Sequence, residues 1–482
     1  MTQTYCDWEV CCAEGGDAAS LNDALAQARG EFVAIMDRDD TLVPAALALI
    51  DRALAADPTI DFLYTDESLR SLGNEPDVFL KPDWSPERLR SQHYTGRLAV
   101  FRRSVLVELG GFRQDLAGAH HYDLALRVAE RARRIHHVPH VLCVRAVADE
   151  PDHGAPARRR AVAEHLERLN VRARVEDGTL PGTVRVRRTL PDPPPRASVV
   201  IPTAGVVRPV WGIERPLVET AVRSLVEVSD HPDLEVIVVA DPSTPQEVTE
   251  RLSSMGAMVL DGTGVFSYSR RCNQGVAASS GEHIVLLNDD ILVEQPDWLT
   301  VLLGYFTEPD VGVVGARLLY ADGTLQHGGV LLNEHPMHIF NGFAADEPGP
   351  FGLLQIDREV GAVTGACLAT TRVVWDELGG LSEDFAVAFN DVDFCLRARA
   401  SGRRVIWTPH ATLYHFESQS RGHDVDQREI DLMFARWDDE LRHDPYGNPN
   451  LAPRQGVWLS TDDACRWPAL RRLARRARRL RS

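Results

Sequence analysis

Residues 273–290 read NQGVAASSGEHIVLLNDD, and residues 22–40 read NDALAQARGEFVAIMDRDD. Each stretch sets an Asn eight residues before a Gly-Glu pair, then an apolar run, then acids, so Asn22 aligns with Asn273 and Asp39 with Asp290. An apolar run of this length between a glycine and an acidic turn reads as a buried strand. A second echo lies further along each copy: TGRLAVFRRSVLVELGGF from Thr95 and TGACLATTRVVWDELGGL from Thr364 run eighteen residues without a gap. Two motifs recurring in the same order indicate a duplicated domain.

Working outward, apolar β-rich runs at Ser198–Ile201, Val236–Val239 and His283–Leu287 alternate with helical stretches, one of them near Pro216–Val228. That alternation predicts an α/β fold with a mostly parallel, doubly covered sheet. WEVCCAEGGD from Trp8 resembles LEVIVVADPS from Leu234, so the first copy starts at what corresponds to the second strand, about one βα unit short, through degeneration or a start upstream of Met1. Between the copies lie a helix candidate (Ala157–Asn170), a strand-like segment (Gly182–Arg188) and PDPPPRA from Pro191, a stiff linker. The expected layout is an incomplete first domain at 1–150, a connecting segment at 151–196, a complete domain at 197–450 and a tail at 451–482.

Composition narrows the function. The 482 residues, 44% of them hydrophobic, suffice for two or three cored domains, and a formal net charge of −18 excludes a broad nucleic-acid-binding surface. Eight cysteines without a CxxC pair fit a reducing compartment and read as buried small apolar residues. No run is long enough to cross a bilayer and no signal segment opens the chain, so a cytoplasmic location is expected. Lys81 is the single lysine beside 51 arginines.

Three features carry chemistry. Asn288-Asp289-Asp290 follow an apolar strand, which places carboxylates at the strand end where open α/β sheets bind ligands and where Mg²⁺ or Mn²⁺ can bridge to phosphate oxygens. An acidic turn gives the same letters. Asp391 and Asp393 open an amphipathic helix; Asp393 and Arg397, four apart, form a helix-surface or packing pair, leaving Asp391 the better chemical candidate. His415 follows an apolar run and precedes a polar loop, a setting for a ligand or for an ordinary satisfied histidine.

Together with SVVIPT, FSYSRRCNQG, LLYADGTLQHGGV, TGACLATTR, ELGGLSEDF, FNDVDFCLR and YHFESQSRG, these pieces resemble family 2 glycosyltransferases of the GT-A type, in particular two-domain bacterial enzymes that build O-antigen, rhamnan or galactan chains. The resemblance implies two tandem Rossmann-like GT-A domains, the first truncated, and an inverting, metal-dependent transfer of a hexosyl or rhamnosyl unit from a UDP- or dTDP-type sugar to a hydroxyl of a cell-envelope glycan or polyprenyl-linked acceptor. It implies Asp391 as catalytic base and Asp290 with His415 as ligands of Mg²⁺ or Mn²⁺. Donor-binding positions are Pro202, Thr203, Asp241, Asn273, Asn288, Asp289 and Asp290; acceptor-side positions are His327, Gly328, Gly365 and Asn390. Two departures stand out: many relatives have Glu-Asp where this chain has Asn390-Asp391, and the base-reading Asp after the second strand is replaced by Ala240 followed by Asp241.

The first copy keeps Asp37-Arg38-Asp39, yet aligning HHYDLALR with NDVDFCLR sets His121 opposite Asp391, and Val144 or Arg145 stands where His415 would be. It is therefore expected to be non-catalytic, supporting the second copy or holding acceptor glycan. The tail CRWPALRRLARRARRLRS reads as a basic amphipathic helix for anionic lipid, or as a solvated basic tail. Two competing functions are a glycan-binding scaffold of decayed transferase domains and a nucleotidyltransferase. The latter needs a Gly-rich basic loop after the first strand, where TAGVVRPV has one arginine.

Overall fold

The computed structural model describes residues 3–71, 77–147, 154–332, 336–416, 425–454 and 457–460. The chain divides into two compact units, one of Met1–Arg187 with Pro350–Ile356 and Pro445–Ser482, the other of Arg188–Gly349 with Asp357–Asp444. The boundary falls at Arg187/Arg188 rather than after the proline-rich segment. The helix expected near Ala157 runs Ala155–Arg168, and its Ala161, Val162 and Leu166 are buried in the core of the first unit. Apolar residues facing one way along that helix drive it onto the core, so it is part of the first unit's packing.

The first unit has a mixed sheet of β1 (Phe32–Ala34), β2 (Thr41–Leu42), β3 (Ile60–Ser71), β4 (Asp77–Phe79), β5 (Ala99–Arg102) and β6 (Arg134–Val147), ordered β1-β5-β3-β6-β2 with β4 on β3. Only β3 and β6 run parallel. A small hairpin, β7 (Ala173–Asp177) and β8 (Val184–Arg188), follows.

The second unit contains β9 (Ala197–Thr203), the hairpin β10 (Val207–Val210) and β11 (Ile213–Pro216), then β12 (Leu234–Ala240), β13 (Met258–Asp261), β14 (His283–Leu287), β15 (Ile291–Val293), β16 (Val311–Leu319) and β17 (Leu325–His327). After these come β18 (Val330–Leu331), β19 (Met337–His338), β20 (Arg358–Glu359), β21 (Cys367–Thr371) and β22 (Arg404–His415). Its main sheet is ordered β13-β12-β9-β14-β21-β16-β22-β15. The four strands from β13 to β14 are parallel; β21 runs against both its neighbours, so the sheet is mixed where a mostly parallel one is predicted.

Strand composition explains the parallel half. Along β9, β12 and β14 successive apolar residues alternate between two buried clusters: Val199, Val238 and Val285 on one face, Val200, Ile237 and Ile284 on the other. Each such side chain buried contributes roughly 1.5–3 kcal/mol, and a strand apolar on both faces is stable only between two layers. The helix Tyr268–Ala278 covers one face closely because Gly275 has no side chain: a Cβ there would lie 2.4 Å from Val200 Cγ1.

From β14 onward, the second unit repeats the first. The order β14-β21-β16-β22-β15 matches β1-β5-β3-β6-β2 pair by pair in direction, and β17 sits on β16 as β4 does on β3. No described strand of the first unit corresponds to β9, β12 or β13, and residues 8–14, expected to match β12, form no strand. The difference is therefore three strands rather than one βα unit. Around that irregular stretch Cys6 and Cys12 are exposed, against the expectation of buried cysteines, whereas Cys143, Cys272, Cys367 and Cys395 are buried. Among the described residues no helix is long and apolar enough to cross a membrane. The basic tail lies outside the described residues.

Candidate active site

The site is built where strand ends and one loop meet. At the end of β9 the Thr203 hydroxyl donates to Asp289 Oδ2 at 2.6 Å and accepts from the Gly205 amide at 3.0 Å. Pro202 beside it lacks an N–H, which β9 tolerates because its pairing with β14 stops at Val200. Asp241, just beyond β12, caps its own turn through Ser243 and accepts from the buried Arg271 at 3.1 Å. Burial opposes ionisation of Asp241, but the hydrogen bonds from Ser243 and Arg271 outweigh it and hold its carboxyl below the usual range.

Past β14, the Asn288 amide nitrogen reaches the imidazole of His415 at 3.3 Å, and Asp290 Oδ1 lies 3.0 Å from His415 Nε2. Both Asp290 and His415 are buried. Sheet register puts them together: Ile291 pairs with His415, so Asp290 and the end of β22 must be neighbours. The rest of the YHFESQSRG motif, residues 417–422, lies outside the described residues.

Asp391 comes from the first turn of the helix Asn390–Ala400. Its Oδ2 accepts from the Gly365 amide at 2.7 Å and its Oδ1 from the Val392 amide at 2.8 Å. Phe389, immediately before that helix, holds φ 60°, a left-handed conformation uncommon for a bulky residue. The loop Thr364–Ala366 joins the two halves of the site: Gly365 holds Asp391, and the Ala366 carbonyl accepts from the backbone N–H of Asn288 at 3.1 Å. Tyr268, from the helix covering the sheet, donates to the Gly365 carbonyl at 2.9 Å. Tyr268 and Arg271 escaped the sequence reading; their spacing of three along an otherwise small-residue helix face was the available signal.

Other expected positions are turned into the scaffold. The Asn273 side chain donates to the Leu381 carbonyl and accepts the Leu381 amide, both at 2.9 Å, so it clasps a loop. His327 is fully buried, and the Thr364 amide lies 3.4 Å from its Nε2. Burial, with His338, Arg358 and His415 nearby, holds its pKa far down, so it is neutral. The buried Gly328 receives a hydrogen bond from Arg358 on its carbonyl, and Asn390 is buried with its amide on the Val387 carbonyl at 3.0 Å. Of the four acceptor-side expectations, Gly365 alone adjoins the Asp391 carboxylate.

Among the described residues no group of three or more His, Cys, Asp or Glu side chains is assembled to hold a metal. Asp290 and His415 offer one hard oxygen and one imidazole side by side. That set suits a divalent cation whose remaining positions are filled by phosphate oxygens and water.

In the first unit the corresponding places are filled differently. The register of β2 on β6 pairs Thr41 with Val144, as Ile291 pairs with His415, so Asp40 stands at the place of Asp290 and Val144 at that of His415. The sequence alignment of Asp39 with Asp290 is one residue off, because the turn 37–40 is one residue longer. Asp37 is ion-paired with Arg97, the residue that replaces Ala366. His121 replaces Asp391, and the preceding Ala119 has an unstrained φ of −134°.

With this geometry in hand, comparison with known proteins is specific. Residues 194–431 match the model described as glycosyltransferase like family 2. An uncharacterized protein of Sinorhizobium fredii is 35% identical over 483 residues, covering 94% of this chain and 52% of its own. The O-antigen biosynthesis protein RfbC of Myxococcus xanthus is 34% identical over 465 residues, covering 91% of this chain and 35% of its own. The chain thus spans about half the length, or less, of these curated relatives. Among solved structures, GalNAc-T7 with UDP, GalNAc and Mn²⁺ aligns at a TM-score of 0.41 and 13% identity, over 54% of this chain and 50% of that one. Residues 194–431, which hold every residue of the candidate site, form a glycosyltransferase family 2-like domain.

Proposed function

We propose that the second unit is an inverting, metal-dependent glycosyltransferase of the GT-A type, moving a hexosyl or rhamnosyl unit from a UDP- or dTDP-sugar to a hydroxyl of a glycan or polyprenyl-linked acceptor. The observation that carries this reading is the Thr364–Ala366 loop, which hydrogen-bonds the Asp391 carboxylate on one side and the Asn288–Asp290 strand end on the other. A base and a diphosphate-side carboxylate are the two groups that such a displacement needs on opposite sides of the anomeric carbon. Thr203, Asp241 and Asp289 line the donor side in this reading. Asp391 takes the proton of the acceptor hydroxyl as its oxygen attacks the anomeric carbon and the bond to the nucleoside diphosphate breaks. The Gly365 and Val392 amides hold that carboxylate in one orientation, so no reorganisation accompanies the proton transfer. Asp290 and His415 would hold Mg²⁺ or Mn²⁺, which supplies positive charge to the leaving diphosphate.

The first unit, in the same reading, is a GT-A-type half without a nucleotide cradle, and it supports the second unit or holds acceptor glycan. Polysaccharide assembly at the cytoplasmic face of a cell envelope, with the basic tail on anionic lipid, is the expected setting. The deciding experiment measures sugar transfer and donor binding for UDP-, dTDP- and GDP-sugars with and without Mn²⁺, in the wild type and Asp391→Asn. Donor binding retained and transfer lost in the variant supports the assignment. Full transfer by the folded variant refutes it.

A further inference from the structure

Arg88, in the short helix Pro86–Ser91 of the first unit, is 7% exposed and has no carboxylate within salt-bridge distance among the described residues. The acids around it are committed elsewhere: Glu87 pairs with Arg90 at 3.1 Å, Glu67 with Lys81 at 3.4 Å, and Asp66 contacts His137 at 2.9 Å. Arg88 Nε meets no partner, and one terminal nitrogen lies 3.5 Å from Gln92 Oε1, the outer limit of a hydrogen bond. The guanidinium lies over the rings of Phe79 at 5.3 Å and Tyr94 at 5.5 Å. Loss of water pushes its pKa down to about 10, so it is still a cation at neutral pH. Aromatic faces offset only part of the desolvation of a buried ion, and a guanidinium fork is shaped to meet an oxyanion through two parallel hydrogen bonds.

Arg88 lines a cavity of the first unit together with Phe79, Pro82, Phe351, Tyr446 and Asn448. Phe351 stacks on Phe79 with ring centroids 4.1 Å apart, and the Gln92 amide donates to the Phe351 carbonyl at 3.1 Å, which fixes that wall. The Asn448 amide is already engaged with Asp66 and the Lys81 carbonyl. We propose that this cavity is an oxyanion subsite in which Arg88 pairs with one carboxylate or phosphate group of a ligand, between the Phe79–Phe351 stack and the Tyr446–Asn448 wall. The inference goes beyond the transfer reaction and does not depend on it: the first unit would select ligands that carry an acidic group, as an acidic sugar or a phosphorylated acceptor does.

The test uses the full chain at constant ionic strength with chloride as reference. Thermal unfolding and isothermal titration calorimetry are run with glucuronate, acetate and inorganic phosphate, on the wild type, Arg88→Met and Arg88→Lys. The expected result is a saturable rise in Tm with at least one oxyanion in the wild type, since a ligand of the native state stabilises by mass action. Binding should be at least about tenfold weaker in Arg88→Lys, which loses the fork, and absent in Arg88→Met. In chloride alone Arg88→Met should unfold no lower than the wild type, because it removes a lone buried charge. Preference for glucuronate over phosphate identifies an acidic sugar as the source, and the reverse a phosphate. The proposal is overturned if the wild type responds to none of the three, or if Arg88→Lys binds them as tightly as the wild type. It is equally overturned if Arg88→Met, or Arg88→Lys should the former not fold, unfolds well below the wild type in chloride and responds to anions unchanged.

Discussion

The two units share one half-sheet and one clasp, and they differ at the places where chemistry is proposed. In the second unit, Arg397 donates to Asp393 at 2.8 Å and to the carbonyls of Leu378 and Gly380, while Asn273 holds Leu381 from the other side. In the first unit, Arg127 donates to Asp123 at 2.8 Å and to the carbonyls of Leu109 and Gly111, while Asn22 holds Phe112 at 2.8 and 2.7 Å. A feature built identically in both units serves the fold. Among the described residues, contacts of the second unit with no counterpart in the first include Thr203 on Asp289, Asp290 on His415, and Asp391 on Gly365 behind a strained Phe389. Backbone strain at one of two otherwise matching helix starts is where a functional constraint is expected.

The largest expected effect tests that division directly. Asp391→Asn should lower kcat by about 10²–10⁴-fold, the range a positioned base contributes, with donor affinity preserved. His121→Asn, the matching change in the first unit, should leave kcat within error. Transfer assays on both variants, checked for folding, decide it: equal losses would mean that the units do not divide the work as their contacts suggest.

A second test separates the acids. Asp289→Ala with Asp290→Ala should abolish metal-dependent donor binding, read by titration of donor with and without Mn²⁺. Replacing Asp37 and Asp39 should leave that binding intact, because Asp37 is already neutralised by Arg97 and Asp39 is mostly exposed. Donor binding lost in the Asp37/Asp39 variant and kept in the other would invert the assignment of the active unit.

A third prediction concerns the shared clasp and expects symmetry. Gly111 and Gly380 hold φ of 71° and 72°, and a Cβ on either would lie 2.2 Å from Asn22 Oδ1 or 2.7 Å from Asn273 Oδ1. Gly111→Ala and Gly380→Ala should each destabilise their own unit by about 1–3 kcal/mol, through left-handed strain and a displaced amide. Hydrogen exchange of the affected half-sheet is the readout. A loss confined to one unit would show that the clasp is not the common scaffold element.

The sequence made strand positions legible because both faces of the parallel strands are apolar: β14 runs His283–Leu287 as expected, and β9 extends the expected run by one residue at the start and two at the end. The repeat was legible for the same reason. Direction was not: β21 is as buried as β14, and only the pairing shows that it runs the other way. Asn273 illustrates a different limit, since a recurring polar residue ahead of an apolar strand reads as a ligand contact, whereas Asn22 makes the same loop clasp in a unit with no described counterpart of β9, β12 or β13, which is the mark of a structural role. The burial of His327 and Asn390 was not legible, because it is decided by packing across β16, β17 and the helix Asn390–Ala400, which no local pattern encodes. The acidic turn slipped by one residue because Asp39 and Asp40 look alike until sheet register assigns Asp40.

The smallest expected effect compares two buried-edge carboxylates through pH. Asp61 in the first unit is held by Arg133, by hydrogen bond and charge, and by Arg102, which together keep its pKa well below the usual range. Glu235 in the second unit is desolvated, yet hydrogen bonds from Ser198 and Ser280 leave its pKa lowered, without an arginine fork on it. A carboxylate whose pKa is depressed on folding adds stability above its unfolded pKa, near 4, and that stability is lost as pH falls through the folded value. The Tm difference between wild type and Asp61→Asn should therefore be full at neutral pH and persist well below pH 4. The difference for Glu235→Gln should begin to fall near pH 4.5 and fade first. Measuring both differences by thermal unfolding at pH steps from 7 downward checks the order. If the Asp61→Asn difference disappears before that of Glu235→Gln, the two-arginine clamp does not outlast the serine hydrogen bonds in acid, and the contrast drawn between these edges of the two units is wrong.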